Sequence, residues 1–154
     1  MSHYLFGDLQ EWGRVLDQVR RLRQDGTLDQ HQPELARLVR YPSNWQLRQA
    51  GLRAAAELKT AGDEVLRATV RVLADEEMDL DTRVLAGNAV SRMLGAADSR
   101  IGDAARAEAI GAIGDLLKKH QPPVLHECAR RWQESLSEAG TVSERKGGGN
   151  CNAG

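Results

Sequence analysis

Leu9, Trp12, Leu16, Val19 and Leu22 recur at steps of three and four residues, with polar side chains between them. That spacing lays one apolar stripe along an amphipathic helix. Asp8 with Glu11 reads as a capping box at its start, and Gly26 as its end. Pro33 opens a short helix to about Val39, because a first turn needs no donor from proline. Ser43 with Gln46 forms a second capping-box pattern and predicts a helix to about Thr60, with Gly62 beyond it. Further helices are predicted at about 63–74, 81–94, 103–119 and 123–138, and no alternating run reads as a strand. The fold class is all-α.

The helices repeat. LRQAGLRAAAEL (47–58) and TRVLAGNAVSRM (82–93) superpose at an offset of 35 residues, so that Arg48, Gly51, Ala54, Ala55 and Leu58 fall on Arg83, Ala86, Ala89, Val90 and Met93. A third copy lies 43 residues on, at His126, Ala129, Trp132, Gln133 and Leu136. The preceding helices keep step through Leu38, Leu73 and Leu116, and through Leu35, Val70 and Ile113. A two-helix unit cannot bury its apolar face alone, so units of this kind stack around one continuous core. Small residues at 51, 54, 55, 86 and 89 let helices approach closely, and larger ones at 58, 73, 93, 116 and 132 fill the space between layers.

The L-R-x-x-G-x-x-A-A-x-x-L run from Leu47 and the T-R-x-x-A-x-x-A-V-x-x-M run from Thr82 resemble the HEAT-repeat family in its short bacterial form. The likeness covers about residues 30–138. It implies a short right-handed α-solenoid of about three stacked helix pairs, with the first helix as an N-terminal cap; composition adds the expectation of a flexible C-terminal tail. It also implies an acidic residue in the turn opposite the repeated arginine. Asp75 alone fills that place; Arg40 and Lys118 stand at the equivalent positions, and His126 replaces the third arginine. The domain reading is a helical-repeat unit at 1–139 and a Gly/Asn/Cys tail at 140–154.

Length and charge narrow the function. A chain of 154 residues is one domain by length and buries roughly 70% of the surface its unfolded form exposes. With 21 basic and 22 acidic side chains it lacks the basic excess of a nucleic-acid binder. No stretch approaches the ~20 apolar residues needed to cross a bilayer, and MSHYLFGDLQEWG is not a signal peptide. A soluble cytoplasmic protein is expected, with no nucleic-acid or membrane partner and no prediction of oligomeric state.

Chemistry is sparse. The chain carries no G-x-S-x-G, Walker or H-E-x-x-H motif, and no enzyme, cofactor or metal is expected. The glycines of GAIG (111–114) read as close helix packing. His120, His126, Glu127 and Cys128 are the only cluster of potential ligands. On a helix from Pro123, however, Cys128 shares the inward stripe of Leu125, Trp132 and Leu136 while His126 and Glu127 diverge. Cys128 reads as a buried thiol. DEEMDLD (75–81) reads as a solvated turn with Asp81 capping the next helix.

What a stacked array offers is a surface. The second helices line one face, where Arg53, Asn88 and Arg131 form one row and Glu57, Arg92 and Ser135 the next. Arg53, Asn88, Arg92 and Arg131 are therefore the candidate partner-binding residues, for a protein or peptide carrying acid groups. After Ala139 the chain reads GTVSERKGGGNCNAG, too poor in apolar residues to order itself, with an exposed thiol at Cys151. The expected function is a non-enzymatic interaction or scaffold module. The alternative is a carrier or ribosomal-peptide precursor, whose tail is modified at Cys151, Asn150 or Asn152 by an enzyme that recognises the helical domain. A third idea, that Cys151 binds metal or tethers a partner by disulfide, has less support in the sequence.

Overall fold

A computed structural model describes residues 5–141 and Cys151, and among these the chain is all-helical. The helices are α1 (Trp12–Asp25), α2 (Gln32–Arg40), α3 (Trp45–Ala55), α4 (Asp63–Ala74), α5 (Leu80–Gly95), α6 (Asp103–Lys118) and α7 (Pro123–Thr141), with a 3₁₀ turn at Leu28–His31 before α2. Their ends follow local chemistry. Gly26 takes the left-handed conformation (φ 71°) that closes α1, and Pro33 sits in the first turn of α2. Two caps differ from the sequence reading by a residue or two. Asn44, not Ser43, caps α3 by accepting from the N–H groups of Gln46 and Leu47 at 2.8 and 3.2 Å. Asp79, not Asp81, caps α5 through the N–H of Thr82 at 2.9 Å. Helix α3 ends at Ala55, short of Thr60. The Asp8–Glu11 capping box does not form; Asp8 instead accepts from Gln10 N–H in a turn, and α1 begins at Trp12.

Helix α2 packs on α3 and α4, α4 on α5 and α6, α5 on α3 and α7, and α6 on α7, while α1 lies against α3. The first helices of the three pairs (α2, α4, α6) are thus neighbours in one layer, and the second helices (α3, α5, α7) in another. The repeated positions are where the core is: Leu35, Leu38, Ala54, Ala55, Leu73, Ala86, Ala89, Val90, Met93, Ile113, Leu116, Ala129 and Trp132 are all buried. Gly51 marks the closest approach. A Cβ there would stand 2.9 Å from Cβ of Leu38 and 3.2 Å from the Val39 backbone. The stripe read for α1 is only partly right, because Val15, Val19 and Leu9 are buried whereas Trp12 is 46% exposed.

Polar side chains tie successive pairs together at their turns. Asp29 accepts from the N–H of Lys59, and from both N–H and hydroxyl of Thr60, at 2.6–2.9 Å. Gln32 Oε1 accepts from Gly62 N–H, and Asp63 Oδ1 accepts from Gly102 N–H, each at 2.8 Å. The same job is done twice: a side chain at the first residue of one pair satisfies the N-cap glycine of the next, whose donor lies beyond the intrahelical ladder. The repeated arginines do not meet turn carboxylates. Arg48 donates to the carbonyl of Tyr41 at 2.9 Å, and Arg83 to the carbonyl of Leu73 at 2.9 Å and to Gln121 at 3.3 Å. Asp75 instead accepts from Glu77 N–H. Burial pulls the Arg83 guanidinium below its ordinary pKa, opposed by the charges of Glu76 and Asp75. His126, at the third arginine's place, is exposed.

The glycines of GAIG do not mark close packing. A Cβ on Gly111 would meet nothing within 4 Å, and one on Gly114 only the Gln133 amide at 4.0 Å. Gly111→Ala should therefore raise the unfolding free energy by about 0.5–1 kcal/mol, the helix-propensity gain alone. Gly51→Ala should lower it by about 1–3 kcal/mol through overpacking against Leu38. Urea unfolding of both variants checks this; the same sign for both would show that the Gly51 contact does not set the α2–α3 spacing.

Candidate functional site

Trp132 on α7 is fully buried, and the residue beneath its six-membered ring is Gly87 of α5. A Cβ at Gly87 would overlap ring atoms Cη2, Cζ3 and Cζ2, so only glycine lets the indole lie flat against the α5 backbone. A buried indole N–H needs an acceptor, and the next residue on α5 supplies it: Nε1 of Trp132 donates to Oδ1 of Asn88 at 2.9 Å. Asn88 has further capacity. Its Oδ1 also accepts from the Cys151 N–H at 2.8 Å, and its Nδ2 donates to the Cys151 carbonyl at 2.8 Å. One side-chain amide thus pairs with both main-chain groups of one residue, as opposed residues do in the hydrogen-bonded pairs of an antiparallel ladder.

Cys128 lies one turn before Trp132 on α7, at the i, i+4 spacing that puts both on the same face. Its sulfur is bonded to Cys151. Both cysteines are buried, at 1% and 7% exposure. These contacts differ from what the sequence leads one to expect of both cysteines and of Asn88. Cys128 is inward-facing as expected, but it is a disulfide cysteine and not a thiol, and Cys151 is neither exposed nor free. Helix α7 continues to Thr141, past the helix end expected at about 138, and at Cys151 the chain is held by the disulfide. Asn88 is not a solvent-facing member of a row; it is half-buried and engaged with Trp132 and Cys151. Asn150 and Asn152 lie outside the described residues. The sequence did carry a signal: two cysteines are one pair, and a Gly-Asn step inside an apolar helix at Gly87–Asn88 marks a close approach beside a polar anchor.

The other candidate residues are more exposed. Arg53 projects from α3 into solvent. Arg92, one turn along α5 from Asn88, reaches to the carbonyl of Ala56 at 3.0 Å and so crosses to α3. Glu57 is paired with Arg23 of α1 at 2.6 Å. Arg131 lies 3.5 Å from Glu127, and Arg130 grips the same carboxylate at 2.6 Å and Glu134 at 2.9 Å. Hydrogen bonding from Arg130 holds the Glu127 carboxyl below its usual pKa, aided by the charge of Arg131. Glu127 therefore stays ionised at neutral pH and loses these partners only as pH falls through its lowered value.

Among the described residues no group of three or more His, Cys, Asp or Glu side chains could hold a metal ion, and no helix is long and apolar enough to cross a membrane. No protein-family model, no curated protein and no solved structure matches the chain.

Asn88→Ala leaves the buried indole N–H without its acceptor and should cost about 1–3 kcal/mol, read from thermal or urea unfolding of the oxidised protein. Reducing the disulfide, which closes a sequence separation of 23 residues, should cost about 3 kcal/mol by loop entropy. Calorimetry with and without a dithiol checks it; coincident transitions would show that the covalent bond adds nothing to the Asn88 contacts.

Proposed function

We propose that this chain is a non-enzymatic, HEAT-like helical-repeat module that binds another protein on the face formed by α3, α5 and α7. The right-handed solenoid that the sequence resemblance implies is part of this reading, supported by the layering of first helices against first helices and second against second. The observation that carries it is Asn88. On the second-helix face, a side-chain amide holds the main chain of a non-helical residue by both its donor and its acceptor. A surface that holds polypeptide main chain in this way is chemically a peptide-docking surface.

The alternative, a carrier or ribosomal-peptide precursor modified around Cys151, has no comparable observation behind it, since Cys151 is buried and disulfide-bonded. The disulfide also bears on location. Such bonds persist where thiols are not kept reduced, so an oxidising compartment fits this state of the protein better than the cytoplasm expected from sequence.

Photo-crosslinking in the source cells tests the face. A benzophenone side chain at position 53 on α3 should yield a discrete adduct, whereas one at the exposed Arg71 on α4, in the first-helix layer, should not. Arg131→Glu should lower the yield at position 53 if the partner is acidic. Equal adducts at positions 53 and 71 would reject the second-helix face as the binding surface.

A further inference from the structure

Cys151 is held in two independent ways. Asn88 grips its main chain, and Cys128 grips its sulfur. Neither hold reads a side chain other than the thiol. The requirement is thus a non-helical residue with its N–H and carbonyl free on one side and a sulfur that reaches Cys128, and no neighbouring sequence is specified by these contacts. Trp132 makes the floor: its indole fixes Asn88 through Nε1 and lies one turn from Cys128. Gly87 and Trp132 set the position of Asn88 from within the core.

We propose that Asn88, Trp132 and Cys128 form a site that captures a cysteine-bearing, non-helical peptide segment of a second protein as a mixed disulfide, with this chain's own Cys151 as its resident occupant. This deepens the reading of the α3–α5–α7 face by naming the chemistry of its partner. The exchange balances without an added oxidant. A thiol of the incoming segment loses its proton to water, and its thiolate attacks Sγ of Cys128. The Cys128–peptide bond forms as the Cys128–Cys151 bond breaks, and the electron pair leaves on Sγ of Cys151, which takes a proton from water. One disulfide is consumed and one is made. Because both sulfurs are buried, attack requires Cys151 to give up its two Asn88 hydrogen bonds. A segment that remakes the two Asn88 hydrogen bonds therefore has the advantage over a small thiol that cannot.

The test uses the full chain carrying Cys151→Pro, which leaves Cys128 unpaired and removes the main-chain N–H by which residue 151 holds Asn88. The probe is a synthetic peptide, acetyl-GGGNCNAG-amide, supplied as its mixed disulfide with 2-mercaptoethanol. Intact mass under non-reducing conditions gives the equilibrium ratio of Cys128–peptide to Cys128–mercaptoethanol adducts. The peptide adduct should be favoured by about tenfold, the worth of two ordinary hydrogen bonds, and Asn88→Ala in the same background should bring the ratio to near one. Should Asn88→Ala fail to fold, Asn88→Asp decides, since it keeps the acceptor for Trp132 and for the peptide N–H but loses the donor to the carbonyl; it should give an intermediate ratio. A ratio near one with Asn88 intact, or one unmoved by the Asn88 variant that folds, would overturn the proposal and leave the disulfide a structural staple. Capture of the peptide with equal crosslinks at positions 53 and 71 would keep this site and reject the wider face; the converse would keep the face and reject the site.

Discussion

The contact on which the second-helix layer turns is the one between the indole of Trp132 and the bare backbone of Gly87. A large flat side chain is buried there directly against a helix backbone, where any side chain on α5 would overlap the ring. Three consequences follow from that one approach. The indole N–H is carried into the core and must find an acceptor, and Asn88 is the residue beside the glycine. Asn88 is then fixed in rotamer by its own buried bond, with a second oxygen lone pair and an amide donor left over. Cys128, one turn before Trp132, is brought to the same edge. Packing thus creates a polar, preorganised grip from residues that would otherwise be unremarkable, and Cys151 occupies it.

The pairs are held in register by a different means. Apolar burial alone would let neighbouring helix pairs slide, since hydrophobic contact is non-directional. Directional bonds at the turns remove that freedom: Asp29 and Gln32 bind the loop before α4, and Asp63 binds the loop before α6. Arg48 and Arg83 work at the opposite turns, each donating to a carbonyl near the end of the preceding helix. Arg48 also reaches Met78 in the next pair, and Arg83 reaches Gln121. A guanidinium has donors enough for both duties, which accounts for the arginine at this point of the repeat without any need of an acidic partner.

Helical periodicity and the 35-residue offset carried most of the helical pattern that is visible here: the seven helices lie close to where apolar spacing put them, and most superposed apolar positions are core, although Val70 and Leu136 are only half-buried and His126 and Gln133 are exposed. What periodicity missed is polar and non-local. Trp12 satisfies the stripe yet faces solvent, because which apolar residues find a partner depends on where α3 lies and not on spacing within α1. Glycines at 111 and 87 look alike in sequence, both within amphipathic helices, but only the second faces an aromatic ring, and that ring is 45 residues away along the chain. The pairing of Cys128 with Cys151 was hidden for a related reason. Composition says that the terminal segment cannot order itself, which is true of a segment taken alone; it says nothing of a covalent bond and an amide grip supplied by the folded part.

The same geometry changes the kind of recognition proposed for the second-helix face. The row of Arg53, Asn88 and Arg131 suggests an acidic partner drawn by charge. Yet Arg131 already faces Glu127 and Arg92 is committed to the Ala56 carbonyl. Charges that are exposed and paired add little affinity, and salt screens what they add. Main-chain hydrogen bonds from a half-buried amide are screened far less, and a disulfide not at all. Recognition that rests on Asn88 and Cys128 should therefore hold nearly constant between low and high salt, while recognition that rests on Arg53 and Arg131 should weaken steeply over the same range. For the proposed partner, the salt dependence of binding separates the two contributions on one surface, and the half-buried setting of Asn88 favours the first.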